Sequence, residues 1–313
     1  MKKGFVKTLS KSAADIRLFP LKNVLRRYDK HKLGCDLKAG AGVAMLSFSM
    51  SIAYAMIAGL PIKYGLFGCI AAAAVSGVFS SSRFIMFGPS NASAVMLMSA
   101  FASLGLVTEE QRAGAAAAIV LLVGVFLALA SVFKITNLAR YISRTVVTGY
   151  ITAGAMLIIA NQSANALGIS GIKNSGGKFI ATSEATLRRL DEANWQAVAV
   201  AAAAVITLFA CKKFFKKLPA QAMALIVPSA ICALIGLFRE LDLAYINSIS
   251  VSDWGITLPN FEAAPIRSVV FASAAVAMFC VIESTSIGKS LAAKSAERLN
   301  TNQEIFSLGL ANI

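Results

Sequence analysis

The pair Ser90-Asn91 follows a Gly88-Pro89 break in the middle of an apolar stretch, residues 80–100. Serine and asparagine cap free N–H groups, and proline suits the first turn, so this spacing predicts a helix that begins inside the stretch. At membrane depth that helix start would present N–H donors and the positive dipole end together, which is an anion site without a lysine. The alternative is a kinked helix whose serine and asparagine bond to neighbouring helices.

Glu283 is the second candidate, because it follows a long apolar run and precedes Ser284, Thr285 and Ser286. A polar group inside a membrane span is costly enough to indicate function. This carboxyl could exchange a proton, or in its ionised form bind Na⁺ with nearby hydroxyls and carbonyls. The alternative is an acid at the cytoplasmic end of its helix that reaches towards Lys289.

The third candidate is a polar stripe in the first apolar run, formed by Ser47, Ser49, Ser51 and Tyr54. Ser47, Ser51 and Tyr54 are four and three residues apart and therefore share one helix face. Small hydroxyl residues also permit close packing of helices, and for Ser47 and Ser51 we favour that interpretation.

Long apolar runs must position these residues. The run from 39 to 60 has no charge over twenty-two residues, which is long enough to cross a bilayer about 30 Å thick. The chain is 57% hydrophobic and only 14% charged. Continuous apolar runs exclude the alternating pattern of a membrane barrel, so the fold class predicted is an all-α polytopic membrane protein. Spans are predicted at about 39–60, 65–81, 86–105, 112–133, 145–168, 194–211, 219–237 and 267–288, with a ninth from near 303.

Charge gives the orientation, because cytoplasmic loops hold the excess of Lys and Arg. With a basic cytoplasmic segment at 1–38 and a transmembrane domain at 39–313, twenty-two of the thirty basic residues lie inside and eight outside. Nine of the fifteen acids lie in the outer loops. The net charge of +15 thus follows from topology and gives no support to nucleic-acid binding.

The five cysteines are scattered singly, and His31 is the one histidine. This pattern predicts no disulfide, no metal site and no cofactor. We also expect no enzyme activity, since the sequence has no activated nucleophile or phosphate-binding glycine loop.

Several motifs resemble the SulP family of anion transporters, which includes sulfate permeases, bicarbonate transporters and the pendrin and prestin branch. The motifs cover essentially the whole chain in order: Phe19-Pro20 with Tyr28, Asp36 to Gly40, AYAMIAGLPIKYGL from Ala53 to Leu66, Ser81-Ser82-Arg83 before Gly88-Pro89, Ile282 to Ser284, Asn302 to Glu304, and Gly309 to Ile313.

The resemblance implies a fold of two inverted seven-span repeats, of which this chain holds the first repeat and the start of the second, with a broken third span. It implies substrate contacts at Ser90, Asn91 and Ala92 and at the aromatic Tyr54, and ion coupling at Glu283 with Ser284. The family usually has Pro-Gln where Ser49 and Met50 stand here. These two residues are further candidate substrate contacts, and the difference puts the identity of the substrate in question.

The predicted function is secondary active transport of an inorganic anion, most of all sulfate, by H⁺ symport and alternating access. Bicarbonate or a dicarboxylate, with H⁺ or Na⁺ coupling, is the alternative within the family, and a uracil or xanthine permease of the same fold is a more distant one. We expect a multi-pass protein of the cell membrane with its N-terminus in the cytoplasm, in contact with lipid and able to form a homodimer. The family's second half-helix, most of its second repeat and its STAS domain are absent from the 313 residues, so we expect this chain alone not to transport.

Overall fold

The structure is a computed structural model of the 313-residue chain. It describes residues 16–17, 19–26, 28–82, 85–135, 144–169, 179–215, 220–237, 240, 242–243, 259, 265–295 and 299–313. Arg83, which the sequence places at the cytoplasmic edge of the third span, lies outside the described residues.

The described residues form α-helices and include a 3₁₀ turn at Leu190–Glu192. In chain order the helices are α1 (Leu21–Leu25), α2 (Lys30–Ala58), α3 (Ile62–Phe79), α4 (Asn91–Ser103), α5 (Glu109–Val132), α6 (Arg144–Ala166), α7 (Phe179–Arg188), α8 (Trp195–Phe214), α9 (Ala220–Gly236), α10 (Ile266–Lys294) and α11 (Thr301–Asn312).

Capping residues set where several of these helices begin. Asp29 accepts a hydrogen bond from the Lys32 N–H at 2.8 Å and starts α2, and Thr108 forms a capping box with Gln111 at the start of α5. Gly59 ends α2 with φ of 69°, a left-handed conformation that glycine adopts without strain. The turn to α3 is therefore tight enough to bring the two helices side by side.

The core lies where α5 meets α4, α10 and α11. Phe101 of α4, Ile119 and Leu127 of α5, Val269 of α10 and Ile305 of α11 are almost completely buried in one cluster. Apolar packing of this kind fixes α10 relative to α4, which matters because these two helices carry the candidate residues.

Glycines let α5 and α11 approach at backbone distance. A Cβ atom on Gly124 would lie 2.8 Å from the carbonyl oxygen of Gly309, and one on Gly309 would lie 2.8 Å from the Ala128 nitrogen. Small residues permit this close packing between membrane helices. The crossing places α11 against the centre of the core.

Helices lie over all nine predicted spans, and the predicted all-α polytopic fold with a broken third span is confirmed. Residues 85–90 have no regular secondary structure, and α4 begins only at Asn91. Among the described residues, five helices are long and apolar enough to cross a membrane, and two more apolar helices are shorter. The depth of each span and the orientation stay predictions.

One helix lies between two predicted spans, in residues 169–193, where we predicted no span. Helix α7 occupies part of it, and its buried face carries Thr182 and Thr186, which are 1% and 4% exposed. The outer face is held by an ion pair between Glu184 and Arg188, four residues apart. Its amphipathic pattern is shorter than the apolar runs from which the spans were predicted, so this helix was not predicted from the sequence.

Candidate functional site

Ser90 caps α4 as the sequence predicts. Its backbone is extended, and its Oγ accepts a hydrogen bond from the Ser93 N–H at 3.2 Å. The Ser93 Oγ in turn accepts from the Ser90 N–H at 3.3 Å, which completes a capping box. The first-turn N–H groups of a helix have no partner within the helix, so this start concentrates donors and positive dipole at one place.

Glu283 joins α10 to the same helix start. The Ser90 hydroxyl donates to Oε2 of Glu283 at 3.1 Å, although the two residues are 193 positions apart in the chain. The Glu283 side chain is half-buried. The two residues that the sequence singles out independently, a capping serine and an acid that follows a long apolar run, are therefore direct neighbours.

A cavity of about 680 Å³ opens at this contact. Tyr54, Ser90, Glu283 and Ser284 are among its lining residues, together with apolar side chains and the backbone of Gly88-Pro89. Lys63 and Glu283 are the charged side chains among the described lining residues. The cavity therefore combines a helix N-terminus, hydroxyl groups, one acid and one base with largely apolar walls, as small-ligand sites commonly do.

Tyr54 reaches the cavity because α2 packs tightly on α3 and α4. It lies against a buried cluster that includes Ile57 and Ala58 of α2 and Ala94 of α4. One turn earlier, the Ser51 hydroxyl donates to the Phe48 carbonyl of its own helix at 2.9 Å. Ser51 is 1% exposed, and the packing role that we favour for this small hydroxyl residue stays a prediction.

Three of the predicted substrate contacts lie away from the cavity lining. Ser49 donates to the Met45 carbonyl of its own helix at 3.3 Å, and Met50 is 47% exposed. Ala92 is half-buried in the first turn of α4 without lining the cavity. Asn91 is the first residue of α4, and its side chain lies outside what the structure describes. The roles of these four residues stay predictions.

Sequence reasoning missed two contributors to this region. Ser93 belongs to the capping box, and its spacing of three from Ser90 was the available signal. Glu304, 1% exposed, accepts hydrogen bonds from the segment that leads to Ser90. It lies in the first turn of α11, and the motif from Asn302 to Glu304 was the available signal.

The sequence of the chain matches a known protein family. The family model described as "Sulfate permease family" matches residues 33–313. The chain belongs to the sulfate permease family. This family assignment is the SulP resemblance inferred from the motifs, and it is confirmed.

Curated relatives in the sulfate permease family have low but extensive similarity. A probable sulfate transporter from Mycobacterium tuberculosis is 25% identical over 92% of this chain and 51% of its own length. The chloroplastic sulfate transporter 4.1 of Arabidopsis thaliana is 27% identical over 95% of this chain and 44% of its own length. The chain thus spans about half the length of these relatives.

A solved structure shows the same fold. The transmembrane domain of a cyanobacterial bicarbonate transporter, BicA, superposes with a TM-score of 0.77 at 21% identity, covering 91% of this chain and 72% of that one. The chain is therefore a multi-pass membrane protein of the sulfate permease family.

Proposed function

We propose that this chain forms one side of the substrate site of a secondary active anion transporter that moves sulfate in symport with H⁺ by alternating access. The observation that carries the proposal is the 3.1 Å hydrogen bond from Ser90 at the start of α4 to the Glu283 carboxylate. An anion site and a proton-binding group are adjacent there, and discontinuous helices of this kind hold substrates in many secondary transporters.

Electrostatics explains why the two functions would be coupled. A helix N-terminus stabilises an anion by about 0.3–1 kcal/mol when exposed and up to about 2 kcal/mol when partly buried. Two unit negative charges about 4 Å apart repel by about 4 kcal/mol at an effective dielectric constant of about 20. An ionised Glu283 would therefore outweigh the attraction of the α4 N-terminus. Protonation of Glu283 removes that repulsion, so the proton and the anion would bind together.

Sulfate is the first choice because the two curated relatives described above are named sulfate transporters. Bicarbonate is the second choice, since a relative from Picosynechococcus, 23% identical over 89% of this chain, is named a bicarbonate transporter. A dicarboxylate is the third. Ser284, next to Glu283 on α10, would supply a further hydroxyl for the coupling ion.

The setting of the site completes the proposal. We place the protein in the plasma or inner membrane with residues 1–38 in the cytoplasm, because most basic residues then face inward. A homodimer is the proposed assembly. The protein would act as a transporter with no enzymatic step.

Uptake of labelled sulfate by the complete gene product in proteoliposomes tests this function. We expect saturable uptake that rises when the external side is made acidic, with bicarbonate competing weakly. A Na⁺ requirement without a pH effect would replace H⁺ as the coupling ion. Absence of sulfate, bicarbonate and dicarboxylate uptake under every gradient would show that the proposed function is wrong.

A further inference from the structure

A second buried acid lies at the other end of the segment that leads to Ser90. Oε1 of Glu304 accepts hydrogen bonds from the Ser81 N–H at 3.1 Å, the Ser82 N–H at 2.9 Å and the Ser81 hydroxyl at 3.0 Å. Oε2 accepts from the Ser80 hydroxyl at 2.7 Å. Glu304 is 1% exposed, so these four donors replace the water that a carboxylate normally binds.

The neighbouring residue, Gln303, holds the backbone just before these serines. The Gln303 amide nitrogen donates to the Phe79 carbonyl at 2.7 Å, at the end of α3, and to the Arg17 carbonyl at 2.9 Å. Its amide oxygen accepts from the Arg17 N–H at 2.7 Å. Gln303 is also 1% exposed and is anchored through its own N–H to Asn300. The first turn of α11 therefore binds the end of α3 and the segment before α1.

Three contacts then hold the described residues between α3 and α4, which are 80–82 and 85–90. Glu304 binds its first residues, and Ser90 binds Glu283 at its last. Between them, Ile85 lies against α10 at Gly288, where a Cβ atom would come within 2.8 Å of the Ile85 Cδ1. A segment without helix hydrogen bonds of its own depends on such outside partners for its conformation.

We propose that Glu304, supported by Gln303, is a positioning residue for the anion site. By holding Ser80, Ser81 and Ser82, it sets where the connection to α4 begins, so that Ser90 and the N-terminus of α4 meet Glu283. This inference rests on the proposed function of Ser90 and Glu283. A packing role alone would be served as well or better by an apolar side chain, since burying a charge is expensive unless every donor is well placed.

The test uses the complete gene product in proteoliposomes, with KM and maximal rate of sulfate uptake measured separately. In Glu304→Gln one oxygen becomes an amide group that cannot accept from the serines. We expect KM to rise about tenfold, the factor that corresponds to loss of hydrogen bonds to a charged group, with maximal rate changed less than about threefold. A milder variant, S80A with S81A, leaves α11 untouched and should raise KM in the same direction by a smaller factor.

Ser131→Ala is the matched control. The Ser131 hydroxyl donates to the Asn302 carbonyl at 2.6 Å, so it binds the same end of α11 without contact to Ser80, Ser81 or Ser82. Its loss should lower the unfolding temperature and leave KM unchanged. Equal KM changes in Ser131→Ala and Glu304→Gln, or an unchanged KM in Glu304→Gln, would overturn the positioning role.

Hydrogen exchange in detergent separates this inference from the proposed function. We expect Glu304→Gln to speed amide exchange at residues 81–82 and on through the first turn of α4, whereas Ser131→Ala leaves those amides protected. Unchanged protection in Glu304→Gln would overturn the inference even if sulfate is transported. If the wild-type protein transports no anion but exchange responds as expected, the proposed function fails, and the positioning of residues 80–82 and of the start of α4 by Glu304 stands.

Discussion

The hydroxyl of Ser90 donates to Oε2 of Glu283 at 3.1 Å and ties the start of α4 to the middle of α10. Ser90 has a second task, because the same Oγ accepts the Ser93 N–H and caps the helix. One side chain thus links helix geometry to the ionisation state of an acid. Ser90 lies where an anion would bind, and protonation of Glu283 would change the acceptor that the Ser90 hydroxyl meets there.

Ser90→Ala should weaken sulfate binding more than it weakens the fold. The variant loses an N-cap, worth about 1 kcal/mol, and a hydrogen bond to Glu283. We expect a KM increase of about tenfold or more, since hydrogen bonds to charged groups contribute about 1.5–3 kcal/mol. The measurement is the concentration dependence of uptake by the complete gene product.

Ser103→Ala is the control for that variant. The Ser103 hydroxyl donates to the Ala100 carbonyl at 2.8 Å at the other end of α4, so the same atom is removed from the same helix. We expect its KM to match the wild type. A similar KM increase in both variants would mean that Ser90 acts on helix stability alone.

Glu283→Gln should separate transport from its driving force. Glutamine resembles the protonated acid in size and charge, so the repulsion between Glu283 and a bound anion is removed permanently. We expect exchange of internal for external sulfate to persist while accumulation driven by an acidic exterior is lost. Paired uptake and exchange assays with and without a pH gradient measure both quantities.

Glu184→Gln serves as its control, because Glu184 is an exposed acid of α7 that pairs with Arg188. Removing an exposed pair changes stability by about 1 kcal/mol at most and should leave accumulation intact. Accumulation by Glu283→Gln at the wild-type level would exclude this carboxyl as the proton-binding group.

The sequence was sufficient for the helices over the nine predicted spans, although not for α7, and it singled out Ser90 and Glu283. Ser90 and Glu283 were found because each places a polar group inside an apolar run, where its presence demands an explanation. Their contact was not predictable, because it depends on how α4 and α10 pack across 193 positions of sequence. Ser49 and Met50 were proposed from the family pattern, and the rotation of α2 directs Ser49 to its own helix and leaves Met50 exposed.

Gly124→Ala should destabilise the protein through the crossing of α5 and α11. The added methyl group would lie 2.7 Å from the Ile313 Cγ1 and 2.8 Å from the Gly309 carbonyl oxygen. Backbone atoms cannot move aside cheaply, and overpacking of a close contact typically costs about 1–3 kcal/mol. We expect a lower unfolding temperature in detergent, followed by scattering or intrinsic fluorescence.

Gly114→Ala on the same helix is the comparison, since its added methyl group would meet nothing within 4 Å. Alanine favours a helix by up to about 1 kcal/mol relative to glycine, so this variant should be as stable as the wild type or more so. If Gly124→Ala were equally stable, α5 and α11 could not be packed at backbone distance as described.

Gly65→Ala should disturb the site through Tyr54, although it removes no polar group. A Cβ atom on Gly65 would lie 2.2 Å from the Ser51 carbonyl oxygen and 2.8 Å from the Ala55 Cβ, so α2 and α3 would have to separate. Tyr54 lies between those two contacts on α2 and lines the cavity, and it would shift with its helix. We expect both a lower unfolding temperature and a higher KM for sulfate. Gly77→Ala near the other end of α3 is the control, because its added methyl group would meet nothing within 4 Å, and it should leave KM unchanged and not lower the unfolding temperature. A Gly65→Ala protein with wild-type KM and reduced stability would show that the position of Tyr54 does not affect anion binding.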